Sequence, residues 1–359
     1  MHGSEDGLLY TLALSLAGVR VQRLFLTRRL DDSPAGIYAS LPSEWRQTMS
    51  HIAPVYGNDP AAAAEKILQA SERIGCSLLC IGGPGYPDLL SRIDDPPLVL
   101  YVSGVLPVNR CVAVVGTRSA DQESYKTARH LSRRLAKHGL CIVSGMAVGI
   151  DRAAHEGAMD AHGPTIGVLG GGVDTVYPRV NSDIYLEMMK RENAALLSEF
   201  PPAVSVMKWS FVKRNRIISG LSEGVVVVKA AEKSGALITA DFALEQNREV
   251  FACCHMPYNE SYAGCIRIVN EGAWCVASER TVLDVLNIES SSAAPGAHAA
   301  AENPDNAVLR CIMRGITNID DICRDLGISS GRLNQQLTEL ELEEKISRYG
   351  GRIRLRRPL

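Results

Sequence analysis

The residues in this sequence that are best suited to chemistry lie in four glycine-bearing loops. Each loop follows a short apolar run and precedes a segment that is typical of the start of a helix. The loops cover residues 116–119, 144–151, 170–174 and 229–235. Glycine-rich turns and helix N-termini present backbone N–H groups that bind anions. Two cationic segments, Thr117-Arg118 and Lys213-Arg-Asn-Arg216, are expected at the same rim, so the pattern predicts a phosphate-binding site.

The elements that must position these loops are the apolar runs before them, at residues 111–115, 140–143, 165–169 and 224–228. Continuous apolar runs that alternate with helical segments are typical of a parallel sheet with both faces covered. Ligands of such sheets bind just beyond the carboxyl ends of the strands, where the loops gather. The sequence therefore predicts an α/β fold with its binding site at that edge.

Composition restricts the class of protein and its compartment. A chain of 359 residues suits two or three domains, and a net charge of −2 does not indicate a partner. Ten cysteines with no Cys-x-x-Cys pair predict buried thiols in a reducing compartment. We find no signal peptide and no apolar stretch long enough to span a membrane, so a cytoplasmic location and no membrane contact are expected.

The chain divides into three predicted units and a linker. Residues 1–75 indicate a small helical domain, similar to a SAM or helix-hairpin domain, in which only Gly18 stands in the turn. A packing role is therefore favoured over DNA contact. Residues 76–286 hold the α/β domain. Residues 287–305 are rich in Ser, Ala, Pro and Gly and are expected to form a flexible linker. Residues 306–359 form a small third unit.

This third unit has the helix–helix–helix–hairpin pattern of a winged helix. Six of its last fifteen residues are basic and none is acidic. Contact with DNA and contact with protein both fit this pattern, and the sequence leaves the two open. The basic residues are Lys345, Arg348, Arg352, Arg354, Arg356 and Arg357.

Six segments in order resemble the DNA processing protein A (DprA/Smf) family. The resemblance extends from about Gly82 to Ala277, and the small helical unit and winged helix match the family's domain plan. The segments are Val115-Gly-Thr-Arg118, Val143-Ser-Gly-Met-Ala-Val-Gly-Ile-Asp151 with Ala154-His155, Gly172-Val-Asp-Thr-Val-Tyr-Pro178, Leu197-Ser-Glu-Phe-Pro-Pro202, Phe211-Val-Lys-Arg-Asn-Arg-Ile-Ile-Ser-Gly-Leu-Ser222 and Lys233-Ser-Gly-Ala-Leu-Ile-Thr-Ala240.

The resemblance implies an extended Rossmann-like domain that forms a homodimer and holds the backbone of single-stranded DNA. It also implies a nonenzymatic protein, without cofactor or metal, that loads the RecA recombinase in natural transformation. Within residues 213–216, at least one cation is expected to pair with an acid, and Arg216 is favoured in the pocket. The expected phosphate-binding residues are Arg118, Ser144, Gly145, Lys213, Asn215 and Arg216, with Lys233, Ser234 and Gly235 nearby.

Two positions depart from the family pattern. Lys229 stands where the family usually has an acidic residue. It either reaches the DNA or forms a salt bridge with Glu232 or Glu199. The family's usual Val-Pro-Gly turn is replaced by Cys253-Cys-His-Met-Pro257. Adjacent cysteines on a strand point to opposite faces, so buried thiols are favoured over a metal site.

Other functions remain as alternatives. A nucleotide-binding or nucleotide-hydrolysing enzyme could use a related scaffold, but residues 233–240 lack the working glutamate of phosphoribohydrolases. A winged-helix regulator with an α/β sensor domain is a third possibility. Asp151 and His155 lie four residues apart, but they are interpreted as an N-cap and a satisfied buried polar group rather than an acid–base pair.

Overall fold

The computed structural model describes residues 5–19, 34–41, 43, 46–254, 259–288, 308, 311, 318–328, 330–342, 346–349 and 352–355. The chain forms two compact units, Met1–Ser291 and Ser292–Leu359. Most of the predicted linker, from residue 289 onward, lies outside the described residues, so its flexibility stays a prediction.

Nine strands of the first unit form one sheet. They are β1 (Ser77–Cys80), β2 (Val99–Gly104), β3 (Cys111–Val115), β4 (Cys141–Ser144), β5 (Thr165–Leu169), β6 (Ala194–Ser198), β7 (Gly224–Val227), β8 (Glu249–Ala252) and β9 (Trp274–Cys275). Their spatial order is β1-β2-β6-β5-β4-β3-β7-β8-β9. Strand β2 runs antiparallel to both neighbours, and the other described pairs of this sheet are parallel. The predicted α/β fold is confirmed, and the structure adds an antiparallel edge.

Helices cover both faces of this sheet. Ala113 and Val115 of β3 pack in the same core as Ile217, whereas Val112 and Val114 pack in a second core with Leu135. A strand buried on both faces leaves no side for polar residues, which explains the unbroken apolar runs. The helices are α1 (Glu5–Leu16), α2 (Pro34–Ser40), α3 (Ala53–Tyr56), α4 (Pro60–Arg73), α5 (Asp88–Ser91), α6 (Gln122–Lys137), α7 (Ile150–Asp160), α8 (Ser182–Met189), α9 (Lys208–Leu221), α10 (Gly235–Glu245), α11 (Ala263–Asn270) and α12 (Glu279–Val285).

The amino-terminal helices share a core with the antiparallel edge of the sheet. Leu12 and Ile67 are fully buried in the same cluster as Tyr101 of β2 and Phe200. The Tyr56 hydroxyl also donates a hydrogen bond of 2.7 Å to the carbonyl of Pro202. Contacts thus join residues 1–75 and the sheet within one compact unit.

The second unit consists of two described helices and a hairpin. Helices α13 (Ile319–Leu326) and α14 (Ser330–Leu342) are followed by strands β10 (Ile346–Tyr349) and β11 (Arg352–Leu355), which pair in antiparallel register. Three leucines of α14 are buried in a common core. The first helix predicted in this unit lies mostly outside the described residues. The leucines are Leu333, Leu337 and Leu340.

Candidate functional site

The chain reverses direction across the sheet at strands β3 and β7. From β3 the chain adds β4, β5 and β6 on one side, and it then returns to place β7 on the other side. A crevice opens beyond the carboxyl ends of strands at such a switch point. The loops that follow β3 and β7 meet there, because the Thr117 N–H donates a hydrogen bond of 2.8 Å to the carbonyl of Lys229.

Helices α6, α7, α9 and α10 begin at this edge, since each follows the carboxyl end of one parallel strand and leads to the next strand. Their N-termini contribute positive potential there. The N-cap of α7 is Gly149, which has a φ of 80°, and a Cβ there would lie 2.5 Å from the carbonyl oxygen of Thr117. Glycine is therefore required at residue 149, where the loop after β4 closes onto the loop after β3.

Arg118 provides an exposed cation in this crevice. Its guanidinium carbon lies 5.0 Å from the ring centroid of Phe211, in the first turn of α9. Among the described residues no carboxylate lies within 4.0 Å of its guanidinium nitrogens. A guanidinium that stacks on a ring, without an acidic partner, keeps its hydrogen-bond donors for a ligand.

Lys213 and Arg216 share the carboxylate of Glu199. The Lys213 Nζ lies 3.1 Å from one oxygen of Glu199, and an Arg216 nitrogen lies 2.8 Å from the other. Arg216 also pairs with Asp95 at 3.3 Å, and its side chain is 7% exposed, against 30% for Lys213. The expectation that a cation of this segment pairs with an acid is confirmed. A phosphate contact by Arg216 stays a prediction. In this structure the carboxylates of Asp95 and Glu199 bind the Arg216 guanidinium.

Arg214 is a buried cation that the sequence analysis did not single out. It lies beneath the loop after β4, where a Cβ on Gly145 would be 2.2 Å from its Nη1. Its Nη1 donates a hydrogen bond to the carbonyl of Val168. Burial lowers the pKa of Arg214, and the nearby charge of Asp151 opposes that shift. Only glycine at residue 145 allows this approach, and the sequence around residues 145 and 214 carries no local signal of it.

Asp151 supports the same loop from below. The interpretation of Asp151 as an N-cap is wrong, because the cap is Gly149 and Asp151 is the second residue of α7. Its carboxylate accepts hydrogen bonds from the N–H groups of Gly145 at 3.2 Å and Ala147 at 3.4 Å. Burial raises the pKa of Asp151, while Arg214 acts in the opposite direction. The carboxylate thus fixes the loop by binding backbone groups.

The side chains of Ser144 and His155 are buried in the interior. The Ser144 hydroxyl is fully buried and donates a hydrogen bond of 2.7 Å to the carbonyl of Val114. His155 Nδ1 lies 2.8 Å from the Thr165 hydroxyl, and Nε2 has no partner among the described residues, so the interpretation of His155 as a satisfied polar group is wrong for Nε2. Burial first, and then Arg214, lowers the pKa of His155 to about 3, so the ring is neutral at pH 7. These contacts indicate a structural role for both side chains.

The remaining expected residues join α9 to the start of α10. The Asn215 amide nitrogen lies 3.5 Å from the Gly235 carbonyl oxygen. Ser234 is the N-cap of α10 and accepts from the Ala236 N–H at 3.3 Å, while Lys233 is exposed on the same loop. The structure therefore places Phe211 of α9 next to Arg118, and Asn215 of α9 next to the loop of residues 233–235.

Lys229 is paired within the protein. Its Nζ lies 2.5 Å from Asp121 and 5.2 Å from the centre of the Tyr262 ring, and its side chain is buried. The partner is neither Glu232 nor Glu199, the two acids considered from the sequence. Asp121 is the N-cap of α6, 108 residues away along the chain, so only the folded structure could identify this pair.

The Lys229 pair predicts a pH-dependent contribution to stability. The hydrogen bond from Lys229, followed by those from Ser124, holds the pKa of Asp121 well below its usual range. A depressed carboxyl pKa gives stability that is present above the unfolded value, about 3.9, and lost as the pH falls below it. Asp121→Asn keeps an N-cap but removes the charge. We expect the difference in melting temperature between parent and variant to narrow as the pH falls from about 5 to 3. A difference that stays constant over that range would contradict this account.

The cysteines of the departing segment are free thiols in this structure. Cys253 is buried and Cys254 is half-buried, while His255 lies outside the described residues. Cys275, in β9, is exposed, so the prediction of buried thiols is wrong for that residue. In the part of the chain that the structure describes, no group of three His, Cys, Asp or Glu side chains could hold a metal ion. A search of the same residues for a helix long and apolar enough to cross a membrane finds none.

A largely parallel sheet whose carboxyl edge carries glycine-rich loops, helix N-termini and cations defines a Rossmann-like protein with a cation-bearing edge. The sequence identifies this protein more closely, because the profile of the DNA recombination-mediator protein A family matches residues 77–287. The chain belongs to this family, as the motifs predicted. The profile of the DprA winged helix domain matches residues 292–352 and confirms the predicted winged helix.

Individual relatives agree with this assignment. The chain is 41% identical over 224 residues to DNA processing protein DprA of Bacillus subtilis (strain 168). The aligned part is 62% of this chain and 75% of that protein. DNA processing protein A from Streptococcus pneumoniae superposes with a TM-score of 0.60 at 29% identity, over 79% of this chain and 98% of that one. The Helicobacter pylori protein, solved to explain its single-stranded DNA binding mode, gives a TM-score of 0.52 at 30% identity, over 59% and 95%.

Proposed function

We propose that this chain binds single-stranded DNA by its phosphate backbone, at the carboxyl edge of the parallel sheet. The observation that carries the proposal is the exposed guanidinium of Arg118, which stacks on Phe211 at the switch point without an acidic partner among the described residues. Positive potential from the N-termini of α7, α9 and α10 adds to it. DNA processing protein A from Helicobacter pylori, a relative of the same family, binds single-stranded DNA, which supports the proposal.

The spread of the cations favours a polymer over a mononucleotide. Arg118 follows β3, Lys213 lies on α9, and Lys233 precedes α10, so the exposed or half-exposed cations occupy three separate elements. A row of phosphates can contact such a set, whereas the phosphates of one mononucleotide span a shorter distance. Backbone contacts carry little sequence information, so weak sequence preference is expected.

Titration of a fluorescent oligothymidine with the full chain, followed by anisotropy at several salt concentrations, tests this proposal. Counterion release by each neutralised phosphate gives a slope of about −0.7 in log K against log salt for single strands. We expect a negative slope equivalent to several contacts. Binding that does not depend on salt would contradict a phosphate-backbone site.

The biological role proposed for this binding is the protection of incoming DNA and the loading of RecA recombinase in transformation and recombination, by a nonenzymatic homodimer. Membership of a family of recombination mediators supports this role. Purified protein should speed RecA ATP hydrolysis on DNA that is coated with single-stranded DNA-binding protein, and the DNA should be recovered intact. No change in the RecA rate, or cleavage of the DNA, would contradict the proposed role.

The two compact units allow the roles of the sheet and the winged helix to be separated. Deletion of residues 306–359 removes the basic hairpin but leaves the whole first unit. We expect the truncated chain to keep its affinity for single strands to within about threefold and to lose any duplex binding that the full chain has. Loss of all single-stranded binding in a folded truncated chain would assign the main site to the winged helix instead.

A further inference from the structure

An aromatic pair, one ring exposed and the other half-buried, lies beside Arg118 at the carboxyl edge of the sheet. Tyr177 belongs to the loop after β5, and Phe211 belongs to the first turn of α9. Their ring centroids are 5.6 Å apart with an interplanar angle of 40°. Tyr177 is 48% exposed, so its ring is accessible to a ligand.

Hydrogen bonds hold the backbone of Tyr177, while its ring stays accessible to solvent. The hydroxyl of Tyr185, a buried residue of α8, donates a hydrogen bond of 2.9 Å to the Tyr177 carbonyl. The same hydroxyl accepts from the Tyr177 N–H at 3.4 Å. Phe211 is half-buried and lies beside Gly170, where an added Cβ would be 3.4 Å from its Cδ1. The Tyr177 ring also packs against Phe211, so it loses little conformational entropy when a ligand stacks on it.

Phe211 contacts a cation as well as Tyr177. The Arg118 guanidinium carbon lies 5.0 Å from the Phe211 ring centroid, so Phe211 is in contact with both Arg118 and Tyr177. Each nucleotide carries an anionic phosphate and a flat base a few bonds apart. A cation and an open aromatic face that adjoin one ring are therefore complementary to a single nucleotide unit of a strand.

We propose that Tyr177, supported by Phe211, is a stacking subsite for an unpaired nucleobase whose phosphate is bound near Arg118. This inference rests on the proposed binding of single-stranded DNA and adds a contact to the bases. Aromatic rings stack on all bases, so the subsite tolerates any sequence. Bases within a duplex already stack on their neighbours, and only an unpaired base reaches the Tyr177 ring. The subsite therefore contributes to the preference for single strands, which phosphate contacts alone do not provide.

The test compares two ligands of equal charge, an oligothymidine and an abasic oligomer of the same length. The parent protein should bind the oligothymidine more tightly, by roughly fivefold or more. Tyr177→Ala should remove most of this preference without changing the salt slope, and Tyr177→Phe should retain it. Leu244→Ala is the matched control, because it removes another exposed apolar side chain, 59% exposed, near the C-terminus of α10 and away from the site.

The possible outcomes distinguish failure of the stacking subsite from failure of the proposed function. If the parent binds both oligomers equally, or if Tyr177→Ala keeps the full preference, the stacking subsite is overturned while backbone binding stands. If the parent binds neither oligomer, the proposed function itself fails. If Tyr177→Ala changes only the oligomeric state, measured by light scattering, the exposed ring is a protein contact and the inference is overturned.

Discussion

Arg118→Ala is expected to weaken the binding of single-stranded DNA by about 1–3 kcal/mol, or roughly 5- to 150-fold. The side chain is exposed and stacks on Phe211, and it has no acidic partner among the described residues, so its donors are already free for phosphate oxygens. The slope of log K against log salt should also become less negative by about 0.7, the value for one phosphate contact on a single strand. Anisotropy titration at several salt concentrations measures both quantities.

Two further variants sharpen this test. Arg118→Lys keeps the charge but loses the planar fork, so it should retain the salt slope and recover only part of the affinity. Arg133→Ala removes an exposed cation from the last turns of α6, at the opposite edge of the sheet, and should bind as the parent does. If Arg118→Ala and Arg133→Ala lose the same amount of affinity, the effect comes from net charge and the site assignment is contradicted.

Arg214→Met is expected to lower the free energy of unfolding by about 3–5 kcal/mol, because it leaves the buried Asp151 without its opposing charge. It also removes the guanidinium on which Gly145 packs and the hydrogen bond to the Val168 carbonyl. Urea unfolding followed by tryptophan fluorescence measures this loss. All three tryptophans belong to the first compact unit, so the signal reports on the unit that contains the site.

The coupling between the two buried charges provides the control. Asp151→Asn in the Arg214→Met background should restore part of the stability, since the amide oxygen still accepts from Gly145 and Ala147 but carries no charge. Arg133→Met, on the exposed face of α6, should stay within about 0.5 kcal/mol of the parent. An Arg214→Met protein as stable as the parent would show that the buried pair is not needed to hold the loop.

The sheet was predictable because its strands are buried on both faces. The runs predicted at 111–115 and 165–169 coincide with β3 and β5. The run at 140–143 is shifted by one residue at both ends from β4, and the run at 224–228 is one residue longer than β7. In an α/β fold, an apolar run between glycine-bearing loops is typical of a buried strand. The direction of β2 was not predictable, because a strand at the antiparallel edge carries the same apolar signal as its neighbours.

The site was predictable as a set of loops but not as a set of contacts. Each residue of a helix is rotated by about 100° from the one before it, so the inward face of residues 213–216 depends on what α9 packs against. Glu199 and Asp95 hold Arg216, and Gly145 admits Arg214, and neither arrangement has a local signal. The partner of Lys229 was missed for the same reason, since Asp121 is distant along the chain.

Competition for a labelled single strand tests the central claim most directly. A fluorescent oligothymidine is first added to the full chain until half of the binding sites are occupied. Three competitors are then added separately: the unlabelled strand, its duplex and a mononucleotide. We expect the unlabelled strand to displace the label at the lowest concentration, the duplex at a higher one, and the mononucleotide only weakly. Displacement by the mononucleotide at or below the concentration of the strand would contradict the claim and favour a nucleotide-binding protein on this scaffold.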